Sequence, residues 1–328
     1  MKTIAFFNNK GGVGKTSLVY HLAWMFRELN YSVLAMDLDP QSNLTSAFVD
    51  ESELELLWPQ SDHLPTIAGV IDPLIQRLGD IRPAEMKQIA DRLYLIPGDL
   101  GLSLFEDRLS EAWSMCLDDN PANAGDGFRV MTAFYRLMKA AAESQDIDIV
   151  LIDVGPNVGA MNRAALVAAD YVVIPLGADL FSLQGLRNLG PTLRNWRNGW
   201  SKRRSGRVPA NMAMPSGAMK PIGYVLLNPS VRSNRPVKAY RKWAERIPAV
   251  YADEVLQTGV AAAEGERDPN QLAMIKHFKS LMPMAQDARK PMFLLKPADG
   301  AIGGHATAVR DCYQQFQNLA ERIVAETG

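Results

Sequence analysis

Phe7-Asn8-Asn9-Lys10-Gly11-Gly12-Val13-Gly14-Lys15-Thr16-Ser17-Leu18 decides the fold of this chain. The short apolar run Thr3–Phe7 precedes it, and a helical pattern from Lys15 to about Leu29 follows, so the stretch is a glycine turn between a strand and a helix. The spacing Gly-x4-Gly-Lys-Ser/Thr is met from Asn9 to Thr16 when the first position is relaxed from Gly to Asn. Gly11, Gly12 and Gly14 let backbone N–H groups converge on a phosphate without Cβ obstruction, and the helix N-terminus adds positive partial charge. Asn9 to Ser17 is therefore a candidate nucleotide-phosphate loop. Lys15 is placed to reach the β- and γ-phosphates, and the Thr16 hydroxyl to face Mg²⁺. Lys10 is a second lysine in the same loop, and is left to reach a phosphate held by another subunit.

Composition bounds the rest. The chain has 328 residues, 47% apolar and 22% charged, an ordinary globular make-up large enough for one big domain or two smaller ones. A fold of this length buries about 75% of the unfolded chain's surface, so no disulfide or metal is needed to hold it. Net charge is −1, so any nucleic-acid footprint is local. Cys116 and Cys312 stand alone, without a C-x-x-C, which fits a reducing compartment and excludes a cysteine-built cluster within one chain. The four histidines lack ligand spacing. No signal-peptide pattern opens the chain and no apolar run approaches a membrane span, so a cytoplasmic location is expected.

Outward from the loop, Ser32–Asp37 is a short buried strand running into Leu38-Asp39-Pro40-Gln41-Ser42-Asn43, with two carboxylates at its C-terminal end. Thr66–Leu78 and Pro83–Arg92 have helical patterns, Arg92–Gly98 is a strand and turn, and Asp118–Gly127 is a loop. Phe128–Ala142 is a helix with one apolar face. Asp148–Asp153 is an apolar strand closed by a carboxylate, which is placed to hold Mg²⁺, usually through water. Tyr171–Leu176 and Pro221–Asn228 are further strands, and Gly303–Glu326 is a closing helix.

Lys10-Gly11-Gly12-Val13-Gly14-Lys15-Thr16 resembles the deviant Walker A motif of the ParA/MinD ATPases. Asp37–Asn43 resembles the Walker A′ segment of Soj-like ParA proteins, with Ser42 where they carry Gly. Leu93–Gly98, the Asp153 strand and the Pro175–Phe181–Gly185–Leu189 series fall in the family's order over nearly the whole chain. The resemblance implies an α/β fold, a doubly wound, mostly parallel sheet with helices on both faces. It implies one ATPase domain over 1–328, elaborated at about 50–90, 112–128 and 197–219. It implies a Mg²⁺-dependent ATPase, slow without its partner, which sandwiches ATP between two subunits. In that arrangement Lys10 crosses to the partner's phosphates, Asp39 orients or activates the attacking water, Asp37 supports the hydration shell of Mg²⁺, and Asn228 contacts adenine. A plain strand-ending turn is the alternative for Asn228. The family has two prolines after the Asp153 strand; here Gly155 precedes Pro156, which loosens that switch segment.

Basic residues fall in three groups. Arg203 and Arg204 belong to an irregular stretch from Arg194 to Lys220, where basic residues alternate with Trp196 and Trp200. Such a stretch meets phosphate backbone or is simply solvated. Arg232, Arg235, Lys238, Arg241 and Lys242 form the second group, of which the first three are taken as candidates, and Lys276, Lys279, Arg289 and Lys290 the third, near where Soj-like proteins carry DNA-binding surface. These are the DNA-contact candidates. The resemblance further implies an ATP-bound homodimer on non-specific DNA, hence on the nucleoid, and a ParB-like or other adaptor that triggers hydrolysis. A MinD-like membrane switch needs a basic amphipathic tail, whereas Phe316–Glu326 is amphipathic and acidic. A small-molecule ATP-dependent enzyme on the same fold is the remaining alternative.

Overall fold

The computed structural model describes residues 1–58, 65–227, 242–259 and 268–328. In chain order the elements are β1 (Lys2–Phe6), α1 (Lys15–Glu28), β2 (Val33–Leu38), α2 (Asn43–Phe48), α3 (Glu51–Leu57), α4 (Ile67–Ile75), β3 (Lys87–Ala90) and β4 (Leu93–Ile96). Then come α5 (Phe105–Met115), α6 (Pro121–Met131), α7 (Ala133–Gln145), β5 (Ile149–Val154), α8 (Ala160–Ala168), β6 (Tyr171–Gly177), α9 (Leu180–Arg204) and β7 (Lys220–Leu227). The described chain ends with α10 (Ile247–Val250), β8 (Gln271–Ile275), α11 (Met282–Ala288) and α12 (Gly304–Thr327).

The strands form one eight-stranded sheet in the order β3-β4-β2-β5-β1-β6-β7-β8. All neighbours are parallel except β3, which runs antiparallel to β4. The central strands read as unbroken apolar runs because both faces are covered. Along β1, Ile4 and Phe6 join the core under α1 and α12, while Ala5 and Phe7 join the core under α4 to α9. Each fully buried Leu or Phe contributes about 1.5–3 kcal/mol. The expected doubly wound α/β sheet is therefore present.

Three segments depart from the sequence reading. The stretch 83–92 is not helical: Lys87–Ala90 pairs with β4 through a tight turn in which Arg92 adopts a positive φ of 58°. Four residues at a sheet edge carry too little periodicity to show this. The stretch 118–127 is largely α6, capped by the Asn120 side chain, which accepts from Ala122 N at 2.9 Å. Its glycines signal close packing rather than a loop, since a Cβ on Gly127 would sit 2.7 Å from the Cys116 amide nitrogen. Third, α9 continues to Arg204 despite Gly190 and Pro191, placing Leu186, Leu189, Leu193 and Trp200 on one buried stripe. A Cβ at position 190 would overlap the Glu254 carbonyl, so that glycine lets another segment dock. No helix among the described residues is long and apolar enough to cross a membrane. The apolar stripe of α12 (Cys312, Phe316, Leu319, Ile323) is buried in the core against α1.

Candidate active site

Parallel strands bring their carboxyl ends to one edge, and β1, β2, β5 and β6 deliver the site there. Gly12 and Gly14 take positive φ values of 71° and 84°. Asn8 fixes the start of the loop, donating to Pro175 O at 2.6 Å and accepting from Lys10 N at 2.9 Å. Gly14 opens α1 with no side-chain cap and no acidic residue in the first turn. The first amides of α1 are thus left for an anion. Lys15 is buried, its Nζ 3.5 Å from Lys10 O. Burial lowers its pKa, against the pull of Asp153 and Asp39.

Asp37 and Asp153 lie directly opposite each other on β2 and β5. Asp37 accepts from Thr45 N and Thr45 Oγ1, both at 2.8 Å, and from Asp39 N at 3.2 Å. Burial still raises it to about 6. Asp153 has no protein donor at hydrogen-bonding geometry on either oxygen. Burial, then Asp37, pushes it up to about 8, although Thr16 and Lys15 lie close enough to draw it partly back. A buried carboxylate with two unused oxygens beside a P-loop hydroxyl is a fitting seat for a hard cation. Among the described residues no cluster of three or more His, Cys, Asp or Glu forms a closed cage. A Mg²⁺ here would draw its remaining ligands from water and nucleotide phosphate.

Asp39 is buried, and its Oδ1 accepts from Gln41 N at 3.0 Å. It faces the segment after β5: a Cβ on Gly155 would lie 3.4 Å from Asp39 Oδ1, and one on Gly11 would lie 3.9 Å from Pro156. Ser42 adopts φ 51°, the left-handed backbone that explains glycine at this place in Soj-like sequences.

The second loop lysine is held by a residue outside the phosphate loop. Lys10 Nζ pairs with Asp179 Oδ2 at 2.5 Å and sits 5.8 Å from the exposed Phe181 ring. Asp179 also caps α9, accepting from Ser182 N at 2.8 Å. Burial alone would raise its pKa, but Lys10 and Ser182 hold it below the usual carboxylate range. Beside this pair a cavity of about 480 Å³ is lined by Val13, Gly14, Leu227, Ile275 and Phe278. Asn228 lies outside the described residues, one position beyond Leu227.

The DNA-contact candidates are not brought together. Arg203 is buried against the Trp113 ring at 3.7 Å, and donates to Trp113 O and Gly199 O at 2.6 and 2.8 Å. It is a core residue with no face left for a phosphate, which corrects the expectation from sequence. Arg204 is exposed and bonds Ser216 O. It lies toward the amino edge of the sheet, because α9 runs back from the carboxyl edge and Arg197 bonds Ala218 O and Met219 O just before β7. Lys276 and Lys279 are exposed after β8 at the opposite edge, and Lys276 lines the cavity beside the P-loop. Arg289 donates to Val49 O, while Lys290 is paired with Asp299 at 2.8 Å. Arg232, Arg235 and Lys238 lie outside the described residues.

Sequence reasoning missed Asn8, Thr45, Glu106, Asn162 and Asp179. Only Asp179 carried a readable signal, an Asp three residues before Ser at a strand-to-helix turn.

A profile of the AAA domain family (AAA_31) matches residues 1–203, more than half of the chain. Protein IncC of Escherichia coli is 32% identical over 213 residues, 65% of this chain and 51% of IncC, so the chain spans about half of that relative's length. Protein DIP2308 of Corynebacterium diphtheriae shares the fold with a TM-score of 0.73 at 22% identity, over 99% of this chain and 98% of that one. A Cyanothece McdA variant in complex with ATP superposes with a TM-score of 0.64 at 19% identity, over 98% and 96%. Together with the loop bearing Lys10 and Lys15, these likenesses show that the chain belongs to the AAA_31 family of AAA domains and to the ParA/MinD superfamily of ATPases.

Proposed function

We propose that this chain is a ParA-type switch, a Mg²⁺-dependent ATPase that dimerises around ATP and positions DNA or another cargo. The observation that carries the reading is the division of labour between two lysines of one loop. Lys15 is buried, whereas Lys10 is partly exposed and paired with Asp179, outside the loop, on the wall of the cavity. A partly exposed lysine paired outside the loop supports a role across a subunit interface, which a buried lysine could not fill.

In this reading the loop amides and Lys15 hold the β- and γ-phosphates, and Lys10 from the partner stabilises charge on them during hydrolysis. Asp39 orients the attacking water. Thr16 and Asp153 hold Mg²⁺, with Asp37 supporting its hydration shell; the ion when bound neutralises phosphate charge. Asn228 contacts adenine. Arg204, Arg232, Arg235, Lys238, Lys276, Lys279, Arg289 and Lys290 remain the DNA-contact candidates, and a dimer doubles whatever affinity they supply. A ParB-like or other adaptor stimulates hydrolysis, and the ATP-bound form sits on the nucleoid. Membrane targeting through α12 is disfavoured, because its apolar stripe is already buried.

The test is binding to non-specific duplex DNA with ATP, ADP and no nucleotide at two salt concentrations, with dimerisation followed by light scattering. ATP-dependent dimers that bind DNA and release it at higher salt support the switch. Dimers without DNA binding move the cargo surface elsewhere. No dimer even in an Asp39→Ala variant, expected to trap one, defeats the reading and favours a small-molecule ATP-dependent enzyme.

A further inference from the structure

The segment after β5 begins Gly155-Pro156, and a glycine leaves the backbone at 155 free, so something beyond the chain's own stiffness must hold it. Two side chains do. Asn162, in the first turn of α8, donates its Nδ2 to Gly155 O and to Asn157 O, each at 2.7 Å. Glu106, in the first turn of α5, accepts from Ala160 N at 2.5 Å and from Met161 N at 2.8 Å, one oxygen to each. The carboxylate occupies the space a side chain at 159 would need: a Cβ on Gly159 would lie 2.5 Å from Glu106 Oε1. A carboxylate on the free amides at a helix N-terminus makes a charge-assisted, bidentate clamp. The far end of α5 is docked on the same helix, with the Arg163 guanidinium over the Trp113 ring at 4.4 Å.

This places the clamp one step from the chemistry. The clamped segment runs from Gly155, against Asp39, through Pro156, against Gly11, to the first amides of α8. We infer that Glu106 is a positioning residue: with Asn162 it fixes residues 155–161 against Asp39 and the phosphate loop. It does not touch the reacting atoms. Loss of the clamp leaves the phosphate loop and Lys15 intact, so nucleotide binding survives while the geometry around Asp39 becomes an average over several positions. The inference rests on the ATPase reading for its kinetic consequence, but not for its structural one.

The experiment compares wild type, Glu106→Ala and Glu106→Gln in the full chain, by ATP turnover and by amide hydrogen exchange. Glutamine keeps one acceptor oxygen and should retain part of the clamp. The expected result is kcat lowered about tenfold in Glu106→Ala and two- to threefold in Glu106→Gln, with KM for ATP within twofold. The Ala160 and Met161 amides should exchange at least about tenfold faster in Glu106→Ala, with β5 amides unchanged. Unchanged exchange at 160–161, or loosened exchange with unchanged kcat, overturns the role. So does faster exchange throughout β5, which would make Glu106 a general stability residue. If wild type does not hydrolyse ATP, the ATPase reading fails while exchange still decides whether the clamp exists.

Discussion

Thr45 is the residue whose removal should reveal how the buried carboxylates are tolerated. It is fully buried; its Oγ1 donates to Asp37 Oδ2 at 2.8 Å and accepts from Gly98 N at 2.7 Å. Thr45→Val keeps the shape, leaves no cavity, and retains the backbone bond from Thr45 N. It deletes a hydrogen bond to a charged group, worth about 1.5–3 kcal/mol, and orphans the buried Gly98 N–H, costing about 1–3 kcal/mol. Because one hydroxyl serves both, about 3–5 kcal/mol is expected. For 328 residues the unfolding entropy converts each kcal/mol into about 1.5 °C, so Tm should fall by about 5–7 °C. The loss should also depend on pH. Burial raises Asp37 to about 6 in the folded chain, so the folded form holds a proton that the unfolded form has released, and stability falls as pH climbs toward 6. Without the Thr45 hydroxyl the folded pKa of Asp37 moves higher, so the variant's stability falls further below that of wild type above pH 6, while the slope from Asp153, raised to about 8, is common to both. Urea unfolding in EDTA at pH 5 and pH 8 measures both effects. A penalty below about 1 kcal/mol at pH 8, or one as large at pH 5, would refute the reasoning.

Three further outcomes are expected. Lys10→Ala should keep nucleotide binding and lose most turnover, on the order of a hundredfold, by single-turnover assay; wild-type turnover would sink the cross-subunit role. His21 is buried between Ser17 O at 2.7 Å and Met292 N at 3.2 Å, and burial lowers its pKa to about 4. The unfolded chain takes up that proton near pH 6.5, so the stability His21 contributes at neutral pH is lost as pH falls toward 4, and His21→Gln should unfold with a shallower acid dependence. Parallel urea curves for the two proteins over that range would exclude His21 as the source. Gly190→Ala should lower stability by about 2–3 kcal/mol, since the Glu254 backbone must shift; calorimetry showing an unchanged Tm would mean the segment yields freely.

What was legible in the sequence is what local chemistry dictates. Glycines at 12 and 14 permit the left-handed backbone found there, and buried parallel strands demand apolar runs, two of which reach carboxylates at Asp37 and Asp153. Illegible were features that depend on what arrives from elsewhere in the chain. Arg203 looks like a basic surface residue until Trp113, ninety positions earlier, covers its face. Gly127 and Gly190 look like breakers until the backbones at Cys116 and Glu254 take the space of their missing side chains. Glu106 is an ordinary helical glutamate until the start of α8 turns its amides toward it.

The place of β1 in the sheet has a consequence for how the chain is made. β1 is central, yet the neighbours it pairs with lie far downstream, near Ile149 and Tyr171. At about 5–20 residues per second, a ribosome needs on the order of ten to thirty seconds before either partner emerges. Throughout that interval Ile4 and Phe6 have no sheet to enter, and closing so long a loop delays pairing further. The apolar residues of β1 therefore stay unpaired during synthesis until β5 appears.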